Sequence, residues 1–289
     1  MGTAFTKLQG IGNDFIAIDG RQLDGLVDGP LSRRLCDRHA GIGADGVLLF
    51  TGTLSAPRMI VFNADGSRAG MCGNGIRCFA RWLAESFDLS GKRIDVATDS
   101  GQKVCGLLRD AAGQVVRVSV DMGTPTLAPE GVPVASDQAI IGQPISVSGR
   151  QVTMTAVGTG NPHGILFEPF SLAERQQLGP AIAALPLFPA GVNVGFCELL
   201  EPGPDASRLR SHVYERGCGW TLACGTGATA AAFAALELNL VPSGRPVDVR
   251  LPGGWLRIEI TDEGQAIMTG DAVEVFRGEV DLGRFVEPA

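Results

Sequence analysis

The feature that most constrains this chain is that it repeats itself. "RMIVFNADGSRAGMCGNG" (58–75) lies over "RSHVYERGCGWTLACGTG" (210–227), so that Arg58 falls on Arg210, Phe62 on Tyr214, Asn63 on Glu215, Cys72 on Cys224 and Gly75 on Gly227. Upstream, "AGIGADGVLL" (40–49) lies over "AGVNVGFCEL" (190–199), and "GIGNDF" (10–15) over "GTGNPH" (158–163). Any one match alone is weak in a glycine-rich chain. Three in the same order, at nearly constant separation, mark two homologous halves. A length of 289 residues accommodates two modest domains.

Each half alternates short runs rich in Val, Ile and Phe with turns of Gly, Asp and Ser, which predicts many short strands. "FIAID", "GVLLF", "RMIVF", "RIDVAT" and "VVRVSVDM" are such runs in the first half; "QVTMTAV", "GILFE", "NVGFCELL", "RSHVY", "PVDVRL", "WLRIEI" and "QAIMTG" follow in the second. Two helices are predicted per half: "PLSRRLCDRHAG" and "GNGIRCFARWLAESF", then "SLAERQQLGPAIAAL" and "GTGATAAAFAALELNL". In the second of these, Ile76, Phe79, Ala80 and Leu83 follow the i, i+3, i+4, i+7 rhythm of a buried stripe. The alanine-rich helix is apolar all round and should be buried on most sides. A strand-rich domain wrapped around a buried central helix fits both halves, with a proline-rich linker near 122–134.

Forty glycines fit many tight turns, and they lack the period of collagen. A net charge of -7, with no basic run, argues against nucleic acid or an anionic membrane as partner. No apolar stretch is long enough to span a bilayer and no signal-peptide layout is present, so the cytoplasm is the expected location. The start "MGTAFT" matches the loose myristoylation pattern, which is short enough to arise by chance. Seven cysteines, at 36, 72, 78, 105, 197, 218 and 224, make no C-x-x-C pair, and only three histidines accompany them, so neither a disulfide framework nor a zinc site is expected.

Cys72 and Cys224 each stand immediately before a Gly-x-Gly turn and a helix. The mouth of a helix offers unpaired N–H groups and the positive end of its dipole, a setting that favours thiolate over thiol and binds a carboxylate. Paired face to face, two such thiols can invert a stereocentre without a cofactor. One thiolate removes an α-proton, the other thiol returns a proton to the opposite face, and the helix mouths hold the carboxylate. A lone cysteine before a helix is ordinarily packing. Its symmetric repetition is what turns the reading towards chemistry.

With "FTKLQGIGNDFIAID", "NADGSRAGMCGNGIRC", "GTGNPH", "GVNVGF", "YERGCGWTLACGTGA" and "MTGDAVEVFRGEV", the chain resembles the diaminopimelate epimerases along essentially its whole length. The resemblance implies an α/β (α+β) fold of two pseudo-symmetric domains, each a mainly antiparallel strand barrel around a central helix, with the site in the cleft between them. It implies that the last strand returns to the first domain, giving 1–123 plus 274–289 with Cys72 and 124–273 with Cys224. It implies conversion of LL-diaminopimelate to the meso form, with no metal, pyridoxal phosphate or other cofactor, and a homodimer. Carried over by motif, Cys224 takes the proton from the LL substrate and Cys72 supplies the new one. Gly73, Asn74, Gly225 and Thr226 hold the reacting carboxylate. Asn13, Asn63, Asn161, Asn193 and Arg216 bind amino and carboxylate groups, Glu215 binds an amine, and His163 and Glu215 tune the thiols; His39 and His212 are structural.

Two positions depart from the family pattern. Some members carry Gln where Gly46 stands, so a substrate contact is missing, and Trp220 replaces a smaller or acidic residue and is expected at the rim of the site. The rival reading is a two-thiol racemase or epimerase of proline, hydroxyproline or histidine, which the thiols cannot separate from the first. Oxidation of Cys72 and Cys224 to a disulfide is expected as a reversible inactivation in air, not as the function.

Overall fold

Runs rich in β-branched and aromatic residues form many of the strands, such as Asn13–Asp19, Gly46–Gly52 and Val115–Asp121. In the computed structural model, which describes residues 2–23 and 25–285, the chain divides into two units, Met1–Val120 with Gly270–Ala289 and Asp121–Thr269.

The first unit begins with β1 (Thr3–Gly10) and β2 (Asn13–Asp19), an antiparallel hairpin turned at Ile11 and Gly12, both at positive φ. Helix α1 (Gly29–Cys36) leads to β3 (Gly46–Gly52), parallel to β2, and β4 (Pro57–Asn63) returns antiparallel to it. The short β5 (Arg68–Ala69) folds back on β4 before α2 (Gly73–Ser86). Then β6 (Arg93–Thr98) runs parallel to β4, and β7 (Gly101–Arg109) and β8 (Val115–Asp121) complete an antiparallel meander.

The second unit opens with β9 (Gln143–Val147), antiparallel to β10 (Arg150–Gly158), and then repeats the first unit's scheme step for step. Strand β10 pairs antiparallel with β11 (Pro162–Leu166); α3 (Leu172–Ala183) leads to β12 (Asn193–Leu200), parallel to β11. Strand β13 (Ser207–Glu215) returns, β14 (Gly219–Thr221) folds back on it, and α4 (Gly225–Glu237) follows. Strand β15 (Val247–Leu251) runs parallel to β13 and antiparallel to β16 (Gly254–Ile260), and β17 (Ala266–Asp271) ends the series. The last strand, β18 (Val273–Val280), returns to the first unit and pairs antiparallel with β1, the role β9 plays beside β10.

The ladders correct one of the three sequence matches. Val47 stands opposite Phe62, and Val194 stands opposite Tyr214, so Val47 is the counterpart of Val194 and not of Cys197. Glycine-rich turns of unequal length hid the slip, and only strand register exposes it.

Each unit wraps its strands around its second helix. Helix α2 packs against β1, β2, β4, β7 and β18, and α4 against β10, β11, β12, β13, β15 and β16. Ile76, Phe79, Ala80 and Leu83 are fully buried, and Phe79 meets Phe50 edge to face at 6.0 Å. Cutting a buried phenylalanine of this kind back to alanine costs about 3–5 kcal/mol. In α4 the alanines at 228, 230, 231, 232, 234 and 235 are fully buried, as a helix with no polar face requires. Helix α1 is shorter than its sequence suggested. Asp37 leaves the helical region at its end, and the carboxylate then accepts the N–H groups of His39 and Ala40, both at 2.7 Å, in a turn that competes with another helical turn.

Candidate active site

Both repeated cysteines are N-caps. Cys72 precedes α2 with φ -134° and ψ 118°, and Cys224 precedes α4 with φ -136° and ψ 105°, so each unit presents its sulfur in the same backbone conformation at the same helix end. The Gly75 N–H donates to Cys72 Sγ at 3.4 Å. Gly75 and Gly227 occupy the third helical position, where a Cβ would press on the sulfur: 3.5 Å from Cys72 Sγ and 3.1 Å from Cys224 Sγ. The contact is tight at the Cys224 sulfur and ordinary at the Cys72 sulfur, where Leu48 at 3.0 Å and Cys72 Cβ at 3.3 Å are the closer neighbours.

In the first unit the predicted residues gather at one end of the sheet. Asn13 opens β2, Gly46 opens β3, and Asn63 closes β4 directly opposite Gly46. The Asn13 Nδ2 donates to Asp45 Oδ2 at 3.2 Å, while its Oδ1 is buried with no protein partner. That orphaned acceptor suits a donor on a ligand. Asp45 belongs to a charged cluster: Arg38 bridges Asp14 at 2.6 Å and Asp45 at 2.8 Å, and Lys7, itself buried, meets Asp14 at 2.6 Å. Arg38 and Lys7 hold the Asp14 carboxyl well below its usual range against the opposing effect of burial, while burial and the neighbouring Asp14 raise Asp45. Asn63 donates to Ser67 Oγ at 2.9 Å. Gly73 and Asn74 form the first turn of α2, fastened by the fully buried Arg77, which donates to the Gly73 carbonyl at 3.0 Å and to Asn74 Oδ1 at 2.9 Å.

The second unit gathers its set at the corresponding sheet end. Asn161 precedes β11, Asn193 opens β12 opposite His163, and Glu215 closes β13. Asn161 Oδ1 lies 3.0 Å from His163 Nε2 and 3.3 Å from Thr159 Oγ1, and Thr159 also reaches the Thr226 carbonyl at 3.4 Å, which ties Asn161 to the mouth of α4. Asn193 Oδ1 accepts the Arg216 N–H at 2.9 Å, and the Arg216 guanidinium donates to the Ala190 carbonyl. His163 is fully buried, and burial with the nearby Arg216 charge lowers its pKa to about 3, so the ring is neutral.

The helix-mouth argument predicted a thiolate-favouring site, and at Cys224 other forces win. Burial, and next the Glu215 carboxylate, push the Cys224 thiol far up, against smaller opposing effects of the Thr226 hydroxyl, 3.5 Å away, and the Gly227 N–H. In the ligand-free protein Cys224 is therefore a thiol. Cys36, Cys78, Cys105 and Cys197 are also buried, which raises each to about 12 and leaves them inert packing groups.

At both departures from the family pattern the structure supplies a physical reading. A Cβ on Gly46 would fall 2.6 Å from the Phe62 carbonyl oxygen, so glycine is what this register allows. Trp220 packs at 5.4 Å on Tyr214 and 5.8 Å on Phe196, the face of β13 turned to α3, which is the opposite face from Glu215. Among the described residues no group of His, Cys, Asp and Glu could hold a metal ion, and no helix is long and apolar enough to cross a membrane. Sequence reasoning passed over Asp45, Arg77, Thr159 and Thr221. Asp45 lay within a quoted motif, but only the fold shows which amide it holds.

The family model described as diaminopimelate epimerase matches residues 5–128 and 155–275. A diaminopimelate epimerase of Aromatoleum aromaticum is 42% identical over 287 residues, covering 98% of this chain and 100% of that one. One of Carboxydothermus hydrogenoformans is 40% identical over 283 residues, covering 96% and 99%. Among solved structures, a hydroxyproline epimerase from Agrobacterium vitis shares the fold with a TM-score of 0.65 at 16% identity, covering 96% of this chain and 91% of that one.

Proposed function

Since this chain belongs to the diaminopimelate epimerase family, we propose that it interconverts LL- and meso-2,6-diaminopimelate, an isomerase step of lysine and peptidoglycan precursor synthesis, by a two-thiol mechanism without a cofactor. The observation that carries the reading is the matched pair of N-cap cysteines, each followed by a glycine at the third helical position.

The reaction needs the two sulfurs on opposite faces of one α-carbon, and each unit contributes one. In the LL direction Cys224, as thiolate, takes the α-proton, and Cys72, as thiol, delivers a proton to the other face; the reverse direction exchanges the roles. Negative charge spreading onto the substrate carboxylate is met by N–H groups at Gly73 and Asn74 and at Gly225 and Thr226, aligned with two helix dipoles. Cys224 starts as a thiol in the free protein, the form that an LL-to-meso turnover leaves behind, so its proton passes to solvent before it acts again as the base. A substrate ammonium at Glu215 offsets the carboxylate charge that opposes its ionisation.

The remaining side chains recognise a second amino-acid head group. Asn13 offers its buried acceptor to an ammonium, and Asn193 with Arg216 suits a carboxylate. Asn63 and Asn161 complete the set, with His163 holding Asn161. A cytoplasmic homodimer belongs to the same reading, supported by the resemblance.

The test offers reduced protein LL-diaminopimelate, L-proline, trans-4-hydroxy-L-proline and L-histidine in parallel and resolves the products by chiral chromatography. Meso-diaminopimelate alone supports the proposal. Inversion of one of the other amino acids, with diaminopimelate untouched, would replace it.

A further inference from the structure

Glu215 ends β13 directly opposite Gly219, across the tight turn into β14. A glycine has no side chain with which to hold a carboxylate across the ladder. The residue that does hold it is the diagonal neighbour, Thr221, whose Oγ1 donates to Glu215 Oε1 at 2.6 Å. Thr221 pairs with Val213, and Val213 is the side chain that reaches within 3.2 Å of where a Gly227 Cβ would be. Alternation puts Val213, Glu215 and Thr221 on one face, the face that covers the first turn of α4 and Cys224.

The first unit shows what the same fold looks like without this arrangement. Asn63 stands where Glu215 does, and the counterpart of Thr221, opposite Val61, is Ala69. Asn63 is steadied instead from within the turn, by Ser67. The carboxylate and the hydroxyl thus occur together in one unit and are both missing from the equivalent positions of the other. A hydroxyl serving only hairpin stability would have no reason to track the acid.

We propose that Thr221 is a positioning residue of the epimerase reaction: its hydroxyl fixes one oxygen of Glu215 so that the carboxylate is held against Cys224. The inference rests on the assignment of Cys224 as a reacting thiol. It gives the two thiols unlike surroundings, a carboxylate beside Cys224 and a neutral amide at the matching position in the other unit. The groups of this unit acting on Cys224 are Glu215 from β13, and the Thr226 hydroxyl and Gly227 N–H from α4. Of these Glu215 alone carries charge.

The test compares Thr221→Val, which keeps the shape and removes the hydroxyl, with Thr221→Ser, which keeps the hydroxyl. The first readout needs no substrate. Methyl methanethiosulfonate labelling of Cys224 is followed by peptide mass spectrometry across pH. Released from Thr221, Glu215 no longer holds the thiol protonated, so the labelling midpoint of Thr221→Val moves to lower pH, while Thr221→Ser stays at the wild-type midpoint. The second readout is turnover: kcat falls by about tenfold in Thr221→Val, less than the roughly 10²–10⁴ that a general acid or base itself supplies, and recovers in Thr221→Ser. If Thr221→Val fails to melt cooperatively, Thr221→Ala makes the same comparison. A Thr221→Val or Thr221→Ala protein with the wild-type midpoint and the wild-type pH profile overturns the proposal. Absence of epimerisation by the wild type would instead sink the functional reading, and the labelling would still report on Thr221.

Discussion

A Cβ on Gly227 would stand 3.1 Å from the sulfur of Cys224 and 3.2 Å from Val213, so a larger residue fits only if the thiol or the strand above it shifts by a few tenths of an ångström. Gly227→Ala is expected to displace the sulfur rather than the helix. Misplacement of a reacting atom by about 1 Å can cost on the order of a hundredfold in rate. A fall in kcat of that order, with KM changed much less, is the predicted kinetic result. Gly75→Ala should behave alike, since its Cβ would meet Leu48 at 3.0 Å and Cys72 Cβ at 3.3 Å.

Gly46→Gln restores a side chain that other family members carry, and it should harm this protein. The new Cβ would fall 2.6 Å from the Phe62 carbonyl oxygen, a backbone atom that cannot swing away. Overpacking of this kind costs about 1–3 kcal/mol, which thermal or urea unfolding would read as a lower midpoint. A variant as stable as wild type and with a lower KM would contradict the account.

Asn13→Ala separates binding from stability. The amide loses one bond to Asp45, whereas its buried Oδ1 has no protein partner to lose. A hydrogen bond to a charged group contributes about 1.5–3 kcal/mol, so KM should rise roughly tenfold to a hundredfold while the melting midpoint moves little. An unchanged KM would remove Asn13 from the site.

His163 makes the fold acid-sensitive over a defined window. Its pKa falls from 6.5 to about 3 on folding, so the unfolded chain binds a proton that the folded chain refuses. Its contribution is fully present above about pH 6.5 and is lost as pH falls towards 3. Urea unfolding of wild type and His163→Gln at several pH values should show the wild type losing stability more steeply across that window. Parallel curves would mean that the ring is not held neutral.

Much of this was legible beforehand because repetition is read from residue identity, which needs no geometry. The "CGNG" and "CGTG" turns announced both N-cap cysteines and the helices that follow, and the buried stripe of α2 was plain from its spacing. Strand β1 was harder. Both of its faces are buried, with Thr6 on one and Lys7 on the other, and Lys7 is tolerated there only because Asp14 and the Gly43 carbonyl meet its ammonium. A polar residue paid for by distant partners breaks the alternation on which strand prediction depends.

The upward shift of the Cys224 thiol was hidden for a related reason. The helix mouth is visible in the spacing, whereas burial and the approach of Glu215 are products of the tertiary fold, and at this thiol they outweigh the dipole. Thr221 lay in the quoted motif "YERGCGWTLACGTGA". Its bond to Glu215 becomes readable only once the β13–β14 register sets Gly219 opposite the acid.

The most direct test of the central claim incubates reduced protein with LL-diaminopimelate in deuterated water, beside Cys72→Ala and Cys224→Ala, and follows isomer ratio and α-deuterium by NMR. The account predicts meso product carrying deuterium at one centre, and neither single variant forming it. Product formed by either variant at the wild-type rate, or formed without deuterium, would contradict the two-thiol mechanism.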